Sequence, residues 1–332
     1  MENKYIDALV REIEECKYTD KVNTIFFGGG TPTALKISNL LRVIEVIKSK
    51  FYISGAEFTV ECNPATIGYD GFVQLKQAGV NRISIGLQSA NDDELQFLGR
   101  IHTFDMFLRT YEDAKKAGFE NINVDLMFSL HQQTRDKWLN TLNKVLELKP
   151  THISAYSLIV EEGTPFYDIE LDLPDEETDR KMYYDAVDLL TSKGYNHYEI
   201  SNFALDGYEC KHNIKYWKRE NYLGFGCGAS GMYNNIRYQN TYDAAEYIEN
   251  NVVSEEVLTT DDVMAEHIFL GLRMVEGFSI AEFNRMYNVN FTKKHKDTIS
   301  KYTKMGFLEI GENCRLTKDG LSVSNSVMCE FI

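Results

Sequence analysis

The stretch TIFFGGGTPT at residues 24–33 constrains the fold more than any other part of the sequence. Its β-branched and aromatic residues run straight into Gly28, Gly29 and Gly30, a pattern that predicts a buried parallel strand ending in a loop bare of side chains. Such glycines leave main-chain N–H and C=O groups free to contact a small polar ligand, although an ordinary strand-to-helix turn explains them equally well. No Gly-Lys-Ser/Thr sequence follows, which argues against a phosphate-binding P-loop.

Strands and helices alternate over the first half of the chain. The strand segments are rich in β-branched residues, and the segments between them carry apolar residues at helical spacing. This alternation predicts right-handed βαβ units and a parallel α/β sheet, which is either doubly wound or curled into a barrel. The predicted strands lie at residues 24–27, 57–61, 82–89, 121–128 and 152–159, and the predicted helices at residues 5–18, 38–50, 70–78, 103–116, 134–148 and 175–193.

Polar residues at the strand ends favour the barrel. Each of four residues falls at or just after the C-terminal end of a successive strand, and an arginine lies in a following loop. Barrel proteins assemble their sites at that face from several strands, whereas a doubly wound sheet gathers its ligand residues at one switch point. The five residues are Thr31, Glu61, Gln88, Asp125 and Arg100.

The residues from 258 onwards follow a different pattern. Three helices, at residues 261–274, 280–287 and 291–305, precede a hairpin at residues 308–316, an order typical of a winged-helix-like α+β domain. This part carries more acidic than basic residues, which favours a packing or lid role over DNA binding. We therefore divide the chain into a partial barrel at residues 1–200, a connecting segment at residues 201–257 and a winged-helix-like domain at residues 258–332.

Charge and cysteine usage limit the partners and the compartment. The formal net charge of −15 argues against nucleic acid as a partner, since surfaces that bind polyanions are usually basic. The six cysteines, at positions 16, 62, 210, 227, 314 and 329, form no CxxC or CxxxC pair, and the sequence shows no secretion signal or long apolar run. These features predict a cytoplasmic protein without a membrane span; peripheral contact with a membrane and formation of a homodimer stay open.

Five short motifs carry a resemblance to a known family. The sequences GGGTP (28–32), ECNP (61–64), NRISIGLQS (81–89), LGRIH (98–102) and NVDL (123–126) stand in the order and spacing found in radical S-adenosylmethionine (radical SAM) proteins of the oxygen-independent coproporphyrinogen III oxidase type. The resemblance runs almost from end to end. Further along, YEISNFA (198–204) and HNIKYW (212–217) are similar to the branch of that family known as haem chaperones.

The resemblance implies a (β/α) barrel and identifies a departure from the family. Radical SAM proteins hold a [4Fe–4S] cluster on a CxxxCxxC loop that follows the first barrel strand, and this sequence contains no such loop. In the family that strand and loop come before the helix that here begins near Tyr5, so we expect an incomplete barrel that lacks its first strand and the cluster ligands. A truncated gene model, a split gene and a cluster-free descendant all fit, and we expect the DNA upstream of Met1 to encode the missing segment.

The resemblance also implies roles in binding S-adenosylmethionine. Backbone groups of the glycine loop would hold its amino acid end, two carboxylates would accept hydrogen bonds from its ammonium or ribose hydroxyls, and an arginine would hold its carboxylate. A glutamine would both donate and accept, and an apolar residue would pack on the adenine. Without the family context these residues are also typical of strand-end carboxylates, a surface ion pair and core packing. The residues are Gly29, Gly30 and Thr31 for the backbone, Glu61 and Asp125 for the carboxylates, Arg100, Gln88 and Ile159.

His212 opens the HNIKYW sequence and is the candidate axial ligand of haem iron. A neutral imidazole ligates haem iron, and the neighbouring Tyr216 and Trp217 offer flat apolar surface for a porphyrin. A lone histidine in a polar run is more often a solvated or capping residue. Cys210, two positions earlier, is a competing ligand candidate.

Two functions follow from the resemblance. In the first, the protein is a carrier that binds haem and passes it to acceptor proteins, with the cluster and S-adenosylmethionine assisting assembly or transfer. In the second, it is an enzyme of porphyrin biosynthesis that cleaves S-adenosylmethionine to a 5′-deoxyadenosyl radical and decarboxylates a porphyrinogen propionate. The HNIKYW sequence favours the carrier. A scaffold with neither activity is the third interpretation, if the cluster segment is truly absent.

Overall fold

The computed structural model describes residues 1–18, 21–251 and 253–331. Among these residues no helix is both long and apolar enough to cross a membrane. The helices are α1 (Glu2–Glu15), α2 (Ile37–Lys50), α3 (Tyr69–Gln77), α4 (Asp92–Phe97), α5 (Phe104–Lys116), α6 (Arg135–Leu148), α7 (Glu176–Ser192), α8 (Lys211–Trp217), α9 (Ala244–Glu249), α10 (Thr260–Gly271), α11 (Ile280–Tyr287), α12 (Phe291–Lys294), α13 (Lys296–Lys304), α14 (Lys318–Leu321) and α15 (Ser324–Met328). The strands are β1 (Lys21–Phe27), β2 (Tyr52–Cys62), β3 (Arg82–Gln88), β4 (Asn121–Phe128), β5 (His152–Ser157), β6 (Asn196–Glu199), β7 (Asn202–Ala204), β8 (Ser230–Tyr233), β9 (Ile236–Asn240), β10 (Val253–Val257), β11 (Phe278–Ser279), β12 (Leu308–Ile310) and β13 (Asn313–Leu316).

The largest sheet of the described residues has the strand order β1-β2-β3-β4-β5-β7-β6. Strands β1 to β5 are parallel, and each is joined to the next by a crossover that contains a helix, while β7 pairs antiparallel with β5 and β6. In β3 the side chains of Ile83, Ile85 and Leu87 are fully buried in the hydrophobic core. The alternating residues Arg82 and Ser84 are polar, so the sheet has an apolar outer face under the helices and a polar inner face.

The sheet is an incomplete parallel (β/α) barrel, as the family resemblance implied. β1 pairs with β2 on one side, and no strand within the described ranges pairs with its other edge. That edge explains why β1 is only partly buried along most of its length, whereas β3 is buried throughout. In a closed barrel every strand has two neighbours, so the barrel formed by the described residues is incomplete beside β1.

Helix α1 is tied to the segment that follows the sheet through Glu12. One carboxylate oxygen accepts hydrogen bonds from the backbone N–H of Gly226 at 2.9 Å and the hydroxyl of Tyr247 at 2.6 Å. The other oxygen accepts from the side-chain amide of Asn240 at 2.7 Å. Strands β8, β9 and β10 form a small antiparallel sheet in this segment, so Glu12 connects the barrel to it.

Two predicted helix starts are wrong by a few residues. Helix α1 begins at Glu2 rather than at Tyr5, and α2 begins at Ile37, so Ser38 lies inside the first turn instead of capping it. The carboxylate of Glu2 accepts hydrogen bonds from the backbone N–H of Lys36 at 3.0 Å and the side chain of Asn39 at 2.6 Å. A contact from another helix has therefore replaced the local cap that the sequence indicated.

The C-terminal part has the predicted winged-helix-like order of helices and a small sheet. Strands β11, β13 and β12 are antiparallel and contact α11 and α13. The single helix predicted at residues 291–305 is wrong, since two helices, α12 and α13, meet at His295. The backbone of His295 is not helical, with φ −108° and ψ 27°, and its ring packs against Phe291 and Phe331.

We expect Ile85→Ala to lower the free energy of unfolding by about 2–5 kcal/mol, because it removes buried methyl groups from the middle of the sheet and leaves a cavity. The matched control is Ile101→Ala. That side chain is 89% exposed, and its loss should change the free energy of unfolding by about 0.5 kcal/mol or less. Chemical denaturation followed by circular dichroism measures both. Equal losses in the two variants would contradict the central position of β3.

Candidate functional site

The loop after β1 is open, as the glycine-rich sequence predicts. Gly29 and Gly30 have φ angles of +77° and +67°, a backbone conformation that favours glycine. A Cβ atom on either residue would meet no heavy atom beyond the chain neighbours within 4 Å. At Gly28 a Cβ atom would lie 2.7 Å from the ring of Phe26 and 3.1 Å from the carboxyl carbon of Glu61. The loop therefore combines one glycine needed for packing with two that leave space in front of the backbone.

Glu61 lies near the end of β2, and its side chain contacts this loop. Its Oε2 atom accepts a hydrogen bond from the backbone N–H of Gly29 at 3.2 Å. Burial, together with the nearby negative charge of Asp125, raises the pKa of Glu61 to about 7. The carboxyl group therefore changes its charge near neutral pH, a property typical of groups that meet a charged ligand.

Asp125 lies in β4, beside Gly86 of β3. Ser84 donates a hydrogen bond to one carboxylate oxygen at 2.9 Å, and the side-chain amide of Asn123 donates to the other at 2.8 Å. Both donors occupy inward-facing positions of their strands. The carboxylate is therefore fixed on the inner face of the sheet, close enough for its charge to act on Glu61.

Gln88 ends β3 in an unusual backbone conformation. Its φ angle is +73°, next to an irregularity in the pairing of β3 with β4, and such strained residues are common at functional sites. Its Oε1 atom accepts a hydrogen bond from the hydroxyl of Tyr156 at 3.0 Å. Burial and then the charge of Asp125 raise the pKa of Tyr156, so this tyrosine stays a neutral donor. A Cβ atom at Gly86 would lie 3.0 Å from the amide nitrogen of Gln88, which explains the glycine there.

Arg100 and Ile159 lie further out at the same end of the sheet. Arg100 follows α4 and is partly exposed, and its charge acts to lower the pKa of Tyr156, which places the two near each other. It forms no ion pair with a carboxylate of the described residues. Ile159 follows β5 and is 70% exposed, so it is not a core residue, and its packing on adenine stays a prediction.

His212 lies in the first turn of α8, and both of its ring nitrogens are bonded. Nδ1 lies 2.9 Å from the hydroxyl of Thr24, and Nε2 lies 2.9 Å from the hydroxyl of Tyr216. The ring stacks on Phe26, with a centroid distance of 5.1 Å and an interplanar angle of 23°. Burial lowers the pKa of His212 to about 4, so near pH 7 the imidazole is neutral, which is the form that ligates iron.

Helix α8 is held at both ends by buried charged groups. At its start, Glu57 of β2 accepts hydrogen bonds from the backbone N–H groups of the first two helical residues at 3.1 and 3.0 Å. Just after its end, the guanidinium group of Arg219 pairs with Glu266 of α10 at 2.8 Å. His212 is therefore positioned by the barrel on one side and by the C-terminal domain on the other.

Cys210, the competing ligand candidate, is buried away from the cavity described below. Its sulfur lies 3.7 Å from an oxygen of Glu57, and its side chain has no exposed surface. Burial raises the pKa of the thiol to about 11, which disfavours the thiolate that would ligate iron. These contacts favour His212 over Cys210 as an iron ligand.

A cavity of about 840 Å³ runs along the free edge of β1. Its walls are largely apolar and come from α1, α2, β1 and the segment after α8. The cavity is lined both by the glycine loop and by α8 with the segment that follows it, so it joins two regions that are far apart in the sequence. Its lining includes Gly28, Gly29, Thr31 and Glu61 from the strand ends, and His212, Tyr216 and Tyr222 from α8 and the residues after it; Gly30, Gln88, Arg100, Asp125 and Ile159 lie outside it.

Sequence reasoning missed Glu57 and three further contributors to the site. Thr24 contacts His212, Tyr156 contacts Gln88, and the side-chain amide of Asn63 donates to the hydroxyl of Thr31 at 2.7 Å. All three lie within strands or directly after them, at the inner face of the sheet. The alternation of the strands indicated which residues face inward, but it contained no signal for which of them meet.

Two family models match the sequence. The model of the Radical SAM superfamily matches residues 2–145, and that of the HemN C-terminal domain matches residues 258–323. The haem chaperone HemW of Lactococcus lactis subsp. lactis (strain IL1403) is 37% identical over 99% of this chain and 89% of its own length. The chain belongs to the HemW family of radical SAM proteins. A second HemW relative, from Bacillus subtilis (strain 168), is 35% identical over 99% of this chain and 91% of its own length.

A solved structure agrees with the fold of this HemW family member. The radical SAM enzyme coproporphyrinogen III oxidase (HemN) from Escherichia coli matches with a TM-score of 0.84, covering 99% of this chain and 82% of that chain. The two sequences are 21% identical, so the match shows the fold alone. Membership of the HemW family rests on the sequence relatives, and the barrel architecture is common to both.

The residues of this HemW family member do not fit the [4Fe–4S] cluster that the radical SAM superfamily implies. None of the six cysteines belongs to a CxxxCxxC sequence. In the part of the chain that the structure describes, no three histidine, cysteine or carboxylate side chains come together as a metal site. We therefore assign no reaction step through a cluster to these residues.

We expect Glu57→Ala to loosen the first turn of α8, because the backbone N–H groups of that turn lose their acceptor. A capping carboxylate contributes about 1–2 kcal/mol, which corresponds to amide exchange about 5- to 30-fold faster in that turn. Hydrogen exchange measured by NMR or mass spectrometry tests this. Glu45→Ala, on the exposed face of α2, is the control. Unchanged exchange in α8 of the Glu57 variant would show that the helix is held by other contacts.

Proposed function

We propose that this protein is a haem carrier, which binds haem beside His212 and passes it to acceptor proteins. The observation that carries the proposal is the position of a neutral His212 imidazole in the wall of a largely apolar cavity of about 840 Å³. Haem binding needs an apolar pocket and a ligand for the iron, and here such a pocket and a histidine nitrogen occur at one place. The name of the HemW relatives, haem chaperone, supports the same function.

The aromatic side chains around His212 suit a porphyrin. Phe26 stacks on the imidazole, and the rings of Tyr216 and Tyr222 meet edge to face at 4.6 Å in the cavity wall. Such rings offer flat apolar surface with a polar group at the edge. Trp217 is different, because its ring packs under the guanidinium group of Arg273 at 4.3 Å and does not line the cavity. It supports α8 rather than a ligand.

The residues at the strand ends fit S-adenosylmethionine, and we propose that they hold it. Gly29 and Gly30 leave their backbone accessible, Glu61 offers a carboxylate to an ammonium group, and Arg100, without an ion-pair partner among the described residues, offers a guanidinium group to a carboxylate. In the radical SAM superfamily this molecule supplies radical chemistry at a cluster. Here the chain's own residues bind and orient it. Thr31, Gln88, Asp125 and Ile159 complete the proposed set.

The cysteines and the net charge support the proposed compartment and partners. We place the protein in the cytoplasm, because all six cysteines are free thiols. Haem and haem-acceptor proteins are the proposed partners, and the net charge of −15 argues against nucleic acid.

His212→Ala should weaken haem binding roughly tenfold or more and change the spectrum of the bound haem, because the axial nitrogen is lost. A titration followed at the Soret band measures both effects on the purified protein. The control is His131→Ala, since His131 is partly exposed and lies outside the cavity. An unchanged titration and spectrum in His212→Ala would assign the iron to another ligand and refute the proposal.

Glu61→Gln should weaken the binding of S-adenosylmethionine and remove its dependence on pH around neutrality. The sign follows from the pKa of about 7, because the carboxylate that pairs with a cation forms as the pH rises through this value. The unmodified protein should bind about tenfold more tightly at about pH 8 than at about pH 6. Calorimetric titrations at several pH values measure the affinities. If Glu61→Gln retains the full pH dependence, another group is responsible for it.

A further inference from the structure

Tyr216 blocks one of the two nitrogens of His212. Both residues lie on one face of α8, four positions apart, and both line the cavity. The hydroxyl of Tyr216 is 2.9 Å from Nε2, and the hydroxyl of Thr24 is 2.9 Å from Nδ1. A single lone pair cannot serve a hydrogen bond and an iron atom together, so an iron ligated by His212 has to displace one of these hydroxyl groups.

The hydroxyl groups of Thr24 and Tyr216 differ in how readily they can be displaced from the imidazole nitrogens. Thr24 lies in the middle of β1, and its side chain is short and β-branched, so it is stiff and moves with the strand. The hydroxyl of Tyr216 is at the end of a longer side chain, whose ring contacts Tyr222 edge to face in the cavity wall. Rotation about the Cα–Cβ bond of Tyr216 moves this hydroxyl away from the imidazole. Nε2 is therefore the nitrogen that becomes available to iron.

We propose that Tyr216 sets how tightly and how fast this protein takes up haem, by competing with the iron for Nε2 of His212 while Thr24 keeps the ring oriented through Nδ1. The inference rests on the proposed function and assigns positioning roles to two residues that contact the ligand histidine. It concerns haem iron as cargo. No change in the oxidation state of the iron is involved.

One of the two tautomers of the neutral His212 imidazole fits this division of roles. A neutral imidazole has one N–H group and one lone pair. When Nδ1–H donates to the hydroxyl of Thr24, the lone pair is on Nε2, and the hydroxyl of Tyr216 donates to it. Metal-ligating histidines usually donate their other N–H group to an oxygen atom, which fixes the ring and its tautomer. Thr24 supplies that oxygen before haem arrives.

Competition by Tyr216 also suits a protein that has to give up its cargo. When the iron leaves, the tyrosine hydroxyl returns to Nε2, so the buried imidazole is not left with an unsatisfied lone pair. This lowers the free-energy cost of release to an acceptor. The ring centroids of Tyr216 and His212 are 4.9 Å apart in an edge-to-face arrangement, so the tyrosine hydroxyl has only a short distance to move back to Nε2.

The test compares three single substitutions by Soret titration and stopped-flow mixing with haem. Tyr216→Phe should bind haem about three- to tenfold more tightly and associate faster, with the ligand spectrum of the unmodified protein, because one competing hydrogen bond is lost. Thr24→Val should bind about three- to tenfold more weakly, because the ring loses its orienting partner. Tyr69→Phe is the control: it removes the hydroxyl of a tyrosine that is 46% exposed and lies outside the cavity, and it should bind haem as the unmodified protein does.

The double variants separate competition from a structural effect. In a His212→Ala background, Tyr216→Phe should no longer change haem affinity, because the two substitutions act on one interaction. Weaker or unchanged binding in Tyr216→Phe, or a changed ligand spectrum, overturns the inference while leaving His212 as the ligand. If His212→Ala itself leaves binding unchanged, the ligand assignment of the proposed function and this inference fall together. A melting curve for each variant shows whether weaker binding comes from unfolding.

Discussion

The carboxylate of Glu57 is the group on which the arrangement of the site depends, because it joins the barrel to the helix that carries His212. It sits on the inner face of β2, is only 7% exposed, and accepts hydrogen bonds from the first backbone N–H groups of α8. A buried carboxylate needs donors, and a helix start needs acceptors. The carboxylate of Glu57 and the backbone N–H groups of α8 satisfy each other's hydrogen bonds. This contact holds α8 against the inner face of the sheet, where His212 contacts Thr24 and Phe26.

Burial shifts the pKa values of Glu61 and His212, which both line the cavity, in opposite directions, and in each case it favours the neutral form. It raises the pKa of Glu61 to about 7 and lowers that of His212 to about 4. The reason is common to both, since removing a charge from water costs free energy whatever its sign. A positively charged ligand beside Glu61 would therefore favour its carboxylate form. The neutral imidazole of His212 has the lone pair that the proposed iron ligation requires. A largely apolar cavity connects the two.

The cavity lies beside β1, the strand that has only one neighbour among the described residues. Where β2 to β5 each have a neighbour on both sides, the inner face of the sheet is filled by hydrogen-bonded polar side chains such as Ser84, Asn123 and Asp125. Along β1 the described residues contain no second neighbour, and the space beside the strand lies between α1 and the segment after α8. His212 lies in the wall of this cavity of about 840 Å³.

The sequence by itself determined the alternation of strands and helices and the residues at the strand ends, because these follow from local periodicity and from glycines at strand ends. The polar residues at those ends favoured a barrel, and the family resemblance implied that it is incomplete. Sequence reasoning failed where a distant contact overrode a local signal: Glu2 replaced Ser38 at the start of α2, and the helix predicted at residues 291–305 divides at His295. Only the tertiary structure decided the surroundings of His212. Its partners Thr24 and Glu57 are 188 and 155 residues away in the sequence, and no period or spacing encodes contacts that arise when the sheet curls and α8 folds back onto it.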